Sequence, residues 1–324
     1  MTEKINLSSE VKEFIERIEA AGAKPLYEMT AEEAREFLSE LQKKDFIDIE
    51  AELKDITILT EYAGEVSVRI AKPKKNSGEK LPAIIYAHGG GWVMGDKEVF
   101  GTLIKKLAIE TNSAVFFVEY SRSPKAKYPT ALNEIYGVMD YVYYNPQEFN
   151  IDNEKMAIAG DSAGANMAAA TIIRAKLSSG PQMKAQVLYY PVCDASMKTN
   201  SYNEFKNGPW LTKKAMEYFF EAYLPDERLR DDKYISILKA PIEDLKGLPP
   251  AIIITAENDV LRDEGEEYAR RLDEAGVEVI NFRVNGTIHD FMMLNALQNT
   301  CQTKSVLRLT SALLKEIFNK QKPD

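Results

Sequence analysis

The chain has 324 residues, 45% of them hydrophobic and 28% charged, which is ordinary globular composition and enough length for one large α/β domain or two smaller ones. Fifty acidic residues against 41 basic ones give a net charge of −9, so a phosphate backbone or an anionic membrane surface is repelled on average and nucleic acid is not an expected partner. The opening MTEKINLSSEVKEF lacks a continuous apolar segment, and no run reaches the roughly 18 apolar residues of a membrane helix, so the expectation is a soluble, cytoplasmic protein with no membrane partner.

In chain order, the first fifty residues read as helices. Val11, Phe14, Ile15 and Ile18 fall at i, i+3, i+4 and i+7, which gives one apolar helix face. Thr30 and Glu33 in TAEEAREFLSEL have capping-box spacing, and Phe37, Leu38 and Leu41 continue a second apolar stripe. Such a pair of faces must be buried downstream, and two helices ahead of the first strand are well placed to cover one end of a sheet.

From about residue 50 the texture changes to short β-rich runs: EAELKDITIL, EVSVRIA, PAIIYA, SAVFFVEY, KMAIAG, AQVLYYPV, PAIIITA and VEVINFRV. The later runs are almost continuously apolar, as parallel strands buried on both faces are, and helical stretches at 130–145, 165–177 and 263–275 separate them. The pattern predicts a doubly wound α/β fold of eight strands. The first two runs alternate instead and join through EYAG, which predicts an antiparallel leading edge. KPKKNSGEK at 72–80 reads as a solvated turn. About sixty residues between the strands near 185–190 and 251–255 hold Tyr202, Phe205, Trp210, Tyr218, Phe219, Phe220 and Tyr223, more than a simple crossover needs, and read as a lid. Cys193 and Cys301 lie far apart without metal-ligand spacing, so both read as buried small apolar side chains, with no disulfide or zinc site.

The chemistry concentrates in a few places. GDSAG, residues 160–164, is a Gly-x-Ser-x-Gly match between an apolar strand and a helix-forming run; a serine on so tight a strand-to-helix turn takes a strained conformation, and the flanking glycines leave room where a Cβ would clash. A serine hydroxyl needs a base, usually histidine, and the chain has only His88 and His289. His88 opens HGGGW, whose glycines leave backbone N–H groups free to converge on a negative oxygen, so His88 is better suited to hold the loop's shape. His289, in NGTIHDF after the last strand, is the candidate base. Among Glu257, Asp259, Asp263 and Asp290, Asp259 is the preferred acid, because it follows a strand end directly. Asp263 and Glu264 fall in a first helical turn, where they suit the dipole. Asp290, adjacent to His289, would need an awkward turn to reach its Nδ1. The order Ser, Asp, His is that of α/β-hydrolases.

With HGGGWVMGD (88–96), GDSAGANMA (160–168), YYPV (189–192), GLPPAIIITAENDVLRDEGEEYARRL (247–272) and GTIHDF (286–291) in place, the sequence resembles the hormone-sensitive-lipase-like (bacterial family IV) esterases over roughly residues 50–318. The resemblance implies an α/β-hydrolase fold with an eight-stranded, mostly parallel sheet, helices on both faces and a helical cap. Residues 1–50 and an insertion at about 195–240 would form that cap on a catalytic domain spanning 51–324. It implies Ser162 as nucleophile, Asp259 as acid and His289 as base. Gly89, Gly90 and Ala163 would supply oxyanion-hole N–H groups, with His88 and Gly91 supporting the loop. The implied function is a serine carboxylesterase that hydrolyses short-chain acyl esters of small molecules without metal or organic cofactor, and a homodimer is compatible with it. An amidase or peptidase would share the triad chemistry. A non-catalytic small-ligand receptor would resemble the gibberellin receptors, which lack the catalytic histidine that this chain retains. The chain departs from the family's usual pattern at Gly164-Ala165-Asn166, at YSRSPK, where Lys125 replaces an acid, and at His289-Asp290-Phe291, where glycine is usual after the histidine.

Overall fold

The computed structural model describes residues 5–74 and 78–320; the middle of the turn expected at 72–80 lies outside the described residues. Eight strands, β1 (Glu52–Thr60), β2 (Gly64–Lys72), β3 (Leu81–Ala87), β4 (Ala114–Glu119), β5 (Ile151–Asp161), β6 (Ala185–Tyr189), β7 (Ala251–Asn258) and β8 (Val279–Ile288), form one sheet in the order β1-β2-β4-β3-β5-β6-β7-β8. The alternating runs at the start are the antiparallel edge, β1 against β2 and β2 against β4, and every later pairing is parallel. The apolar runs account for the centre: β3 and β6 are almost wholly buried and β5 is buried from Met156 to its end, because helices cover both faces of a parallel sheet. Helices Thr130–Tyr144, Ala163–Leu177 and Arg262–Glu274 lie on one face, and Gly101–Thr111 and Cys301–Asn319 pack together on the other.

The N-terminal helices form where the periodicity predicts, at Ser9–Ala20 and Ala31–Lys44. Glu33 N–H donates to Thr30 Oγ1 at 3.1 Å while Thr30 N–H donates to the Glu33 carboxylate at 2.8 Å, the reciprocal capping box. Their apolar faces are buried through Val11, Phe14, Ala34, Leu38 and Leu41. The buried Gln42 amide donates to the carbonyls of Val99 and Met293 at 2.8 and 2.9 Å, which fixes the second helix against both the β3–β4 connection and the loop after β8. Of the two cysteines only Cys193 is buried; Cys301 is exposed, against expectation, because it opens the last helix on its solvent side. No helix among the described residues is long and apolar enough to cross a membrane.

This topology sets the position of the site. Ser162, Asp259 and His289 each immediately follow the carboxyl end of a strand, β5, β7 and β8, and the glycine run 89–91 lies just beyond β3. Loops after the carboxyl ends of parallel strands all open on one edge of the sheet.

Candidate active site

Ser162 sits at φ 54°, ψ −122°, a conformation foreign to non-glycine residues, on the turn between β5 and the helix Ala163–Leu177. Its N–H donates to the Tyr189 carbonyl at 2.9 Å and its carbonyl accepts from Val192 N–H at 3.2 Å, so β6 and the chain after it hold the strained residue in place. The flanking glycines are required by close approach. A Cβ on Gly164 would stand 2.1 Å from the Ala87 carbonyl oxygen, and one on Gly160 would stand 2.6 Å from the Gly164 carbonyl.

Across the edge of the sheet, His289 Nε2 lies 2.8 Å from Ser162 Oγ and His289 Nδ1 lies 2.7 Å from Asp259 Oδ2. In the neutral imidazole, Nδ1–H donates to the carboxylate and Nε2 accepts from the serine hydroxyl. The other Asp259 oxygen accepts from Leu261 N–H at 3.0 Å, which fixes the carboxylate. The Tyr190 ring meets the imidazole edge-on at 4.7 Å between centroids and limits its rotation. All three side chains are buried.

His88 is placed in the loop's framework, away from this chain of hydrogen bonds. Its Nδ1–H donates to the Gly89 carbonyl at 2.8 Å, and the ring stacks on Tyr120 and Phe117 with centroids 4.0 and 5.0 Å apart. Burial drives its pKa down to about 3, so it is a neutral structural ring. Gly89 departs from expectation. Its N–H donates to Asp161 Oδ1 at 2.9 Å and so is not free for an oxyanion. Gly90 and Gly91 instead line the cavity beside Ser162, and their N–H groups, like that of Ala163, donate to no described residue. The residue two positions beyond β3 is thus tied to the last residue of β5.

The comparisons with known proteins agree with this geometry. An alpha/beta hydrolase fold family matches residues 84–293. A protein of Acanthamoeba polyphaga mimivirus assigned to the α/β hydrolases is 40% identical over 98% of this chain and 90% of its own length. An arylesterase of Saccharolobus solfataricus is 33% identical over 96% of this chain and 99% of its own. The crystal structure of a thermostable esterase from Pseudomonas putida superposes with a TM-score of 0.95 at 37% identity, covering 98% of this chain and 99% of that one. The chain belongs to the hormone-sensitive-lipase-like esterases. It is a carboxylic ester hydrolase with the α/β-hydrolase fold.

In this esterase a narrow cavity of about 30 Å3 reaches Ser162 and His289, walled by Leu26, Leu38, Gly91, Met94, Trp210 and Phe219 among others. The N-terminal helices and the 195–240 region thus both meet at the serine. A wider pocket of about 230 Å3 lies outside it and shares Leu26, Phe37 and Trp210 with it. Most aromatics of the 202–223 segment pack rather than line the cavity: Tyr223 stacks on Trp92 at 4.4 Å, and Tyr202, Phe205 and Phe220 are buried in the core.

Burial opposes charge on His289, but Asp259 and Asp290, with the Asp259 hydrogen bond, outweigh it and hold the imidazole up at about 9. Burial and the nearby Asp290 raise the Asp161 carboxyl to about 7, against hydrogen bonds from Tyr86 and Gly89. The other acids go elsewhere. Asp263 and Glu264 stand in the first turn of the helix Arg262–Glu274, as expected; Asp263 Oδ2 also accepts from Ser201 N–H at 2.8 Å, and the buried Glu264 carboxyl accepts from Cys193 N–H at 2.7 Å. Sequence reasoning passed over Asp161, and it placed Trp210 in the lid without its partner Asp290. Their hydrogen bonds span 72 and 80 positions, a separation at which only the folded chain shows the pairing.

Proposed function

We propose that the esterase hydrolyses short-chain acyl esters, aryl or alkyl, through an acyl-enzyme on Ser162, with His289 as general base and acid and Asp259 as its orienting carboxylate. The observation that carries this reading is the continuous hydrogen-bonded chain from Asp259 through His289 to Ser162, with steps of 2.7 and 2.8 Å, at the end of a narrow cavity. His289 Nε2 takes the serine proton as Oγ attacks the ester carbonyl, and the tetrahedral oxyanion is held by the N–H groups of Gly90, Gly91 and Ala163. Ala163 begins a fifteen-residue helix, whose positive end favours that charge. The same Nε2 then gives its proton to the departing alcohol oxygen. A water, deprotonated by His289, releases the acid and restores the serine. The N-terminal helices and the 195–240 insertion act as a cap that closes the acyl side.

Support for short chains comes from the apolar wall of Leu38, Trp210, Leu211, Met216 and Phe219 around a cavity of about 30 Å3. An acyl-length series of 4-nitrophenyl esters, with Ser162→Ala as control, tests it: acetyl to hexanoyl esters turn over well and chains beyond about ten carbons poorly. A kcat/KM that keeps rising to palmitoyl would contradict the reading.

A further inference from the structure

Asp290 has no part in the proton relay just proposed, yet its carboxylate faces the cavity. It occupies the left-handed region at φ 66°, where aspartate is among the few tolerated side chains. One oxygen, Oδ1, stands 3.5 Å from His289 Nε2, and the other accepts from the Trp210 indole N–H at 2.9 Å. Trp210 in turn packs against Phe14 of the first helix with ring centroids 5.3 Å apart, so the carboxylate is held from the cap side and points at the reacting end of the cavity. Among the described residues, no lysine or arginine lines that cavity. The groups around the imidazole are Asp259, Asp290, Asp161, Ser162 and Tyr190.

We propose that Asp290 is a specificity-determining residue that selects the ester's alcohol by charge, admitting cationic and neutral alcohol groups and rejecting anionic ones. The inference rests on the assignment of His289 as the group that protonates the leaving alcohol. To receive that proton the alcohol oxygen must come within hydrogen-bond reach of Nε2. Since Asp290 Oδ1 is 3.5 Å from the same nitrogen, a charge two or three atoms beyond the alcohol oxygen falls within a few ångströms of the carboxylate. At that range, inside an apolar wall, one unit charge changes binding on the order of tenfold or more. Because the acyl-enzyme is the same for any ester of one acid, this selection acts on the acylation step and is read in kcat/KM.

Three acetate esters of nearly equal shape make the test: 3,3-dimethylbutyl acetate (neutral), acetylcholine (cationic) and 2-sulfoethyl acetate (anionic). The wild-type enzyme is expected to hydrolyse the cationic and neutral esters with kcat/KM on the order of tenfold or more above the anionic one, and added salt should narrow that ratio. Asp290→Asn, which removes the charge and keeps a residue suited to the left-handed region, should shrink the ratio by about tenfold and abolish any advantage of the cation. Trp210→Phe, which removes the indole donor and leaves the charge, should keep the wild-type order. Equal kcat/KM for all three esters in the wild type, or ratios unchanged in Asp290→Asn, overturns the proposal. The wild-type ratios and their salt dependence decide it even if the variant does not fold. Full hydrolysis of the neutral ester by Ser162→Ala would instead overturn the assignment of the nucleophile, whatever the ratios.

Discussion

At the residue scale, two carboxylates sit near the same imidazole and the geometry separates them by which nitrogen they face. Asp259 meets Nδ1 at 2.7 Å and Asp290 lies 3.5 Å from Nε2, so only Asp259 can hold the tautomer in which Nε2 accepts the serine proton. Asp259→Asn should therefore lower kcat by roughly 10⁴ while leaving the fold intact. Asp263→Asn, which loses a hydrogen bond from Ser201 N–H and part of an ion pair with Arg262, should cost stability and leave kcat nearly unchanged; kcat and melting temperature of both variants check the division. The raised pKa of His289 fixes the sign of the pH dependence. Catalysis needs the neutral ring, so kcat/KM falls as pH drops through its pKa, and with that value near 9 the rise continues through neutral pH and levels off only in the alkaline range. Asp290→Asn removes one of the charges that raise it, so its kcat/KM profile should reach half-maximum at lower pH; a profile that does not move would mean that Asp290 does not act on the ring. The same shift links to stability with the opposite slope. The folded ring binds its proton more tightly than the unfolded one at 6.5, so this contribution is full below about pH 6.5 and disappears as pH rises through about 9.

At the element scale, the N-terminal helices do more than cover apolar surface. Arg35, on the second helix, donates from Nε to the Val93 carbonyl and from a terminal nitrogen to the Ser123 carbonyl, both at 2.8 Å. Arg122 reaches the Gly95 carbonyl, and Tyr120 the His88 carbonyl at 2.8 Å. The loop carrying Gly90 and Gly91 is thus tied on one side to β4's extension and on the other to a helix through a bond that spans 58 residues. Arg35→Ala removes one charge-assisted bond to that loop, at Val93, and one to the segment after β4, at Ser123, each worth about 1.5–3 kcal/mol. It should lower both the melting temperature, by a few degrees, and kcat, through a less fixed oxyanion site, with KM for a short ester less affected. A normal kcat in a protein of lowered melting temperature would restrict Arg35 to a structural role. The capping box and the apolar stripes of these helices were readable in the sequence, since they depend on neighbours three and four residues away. Their contacts with the glycine loop were not, because an arginine on a helix gives no sign of which carbonyls it will meet.

At the scale of the whole molecule, the run of apolar strands and the alternating leading pair announced both the doubly wound sheet and its antiparallel edge. Strand order was another matter: β4 lies between β2 and β3, a crossover that no local pattern encodes. The same limit explains the glycine register. Ser162 and His289 could be found because the chain offers one elbow and two histidines, whereas the choice between Gly89 and Gly91 turns on a hydrogen bond to Asp161 across two adjacent strands. Strand β8 runs four residues further than its apolar run suggested, through Asn285, Gly286 and Thr287 to Ile288, and that extension delivers His289 to the serine. Three strand ends converge on one strained serine, and a fluorophosphonate probes whether that serine is activated, because an activated serine attacks phosphorus as it attacks a carbonyl carbon. Intact mass and peptide mapping should find one adduct, on Ser162, and none in Ser162→Ala. An adduct on another residue, or undiminished labelling of Ser162→Ala, would mean that Ser162 is not the nucleophile.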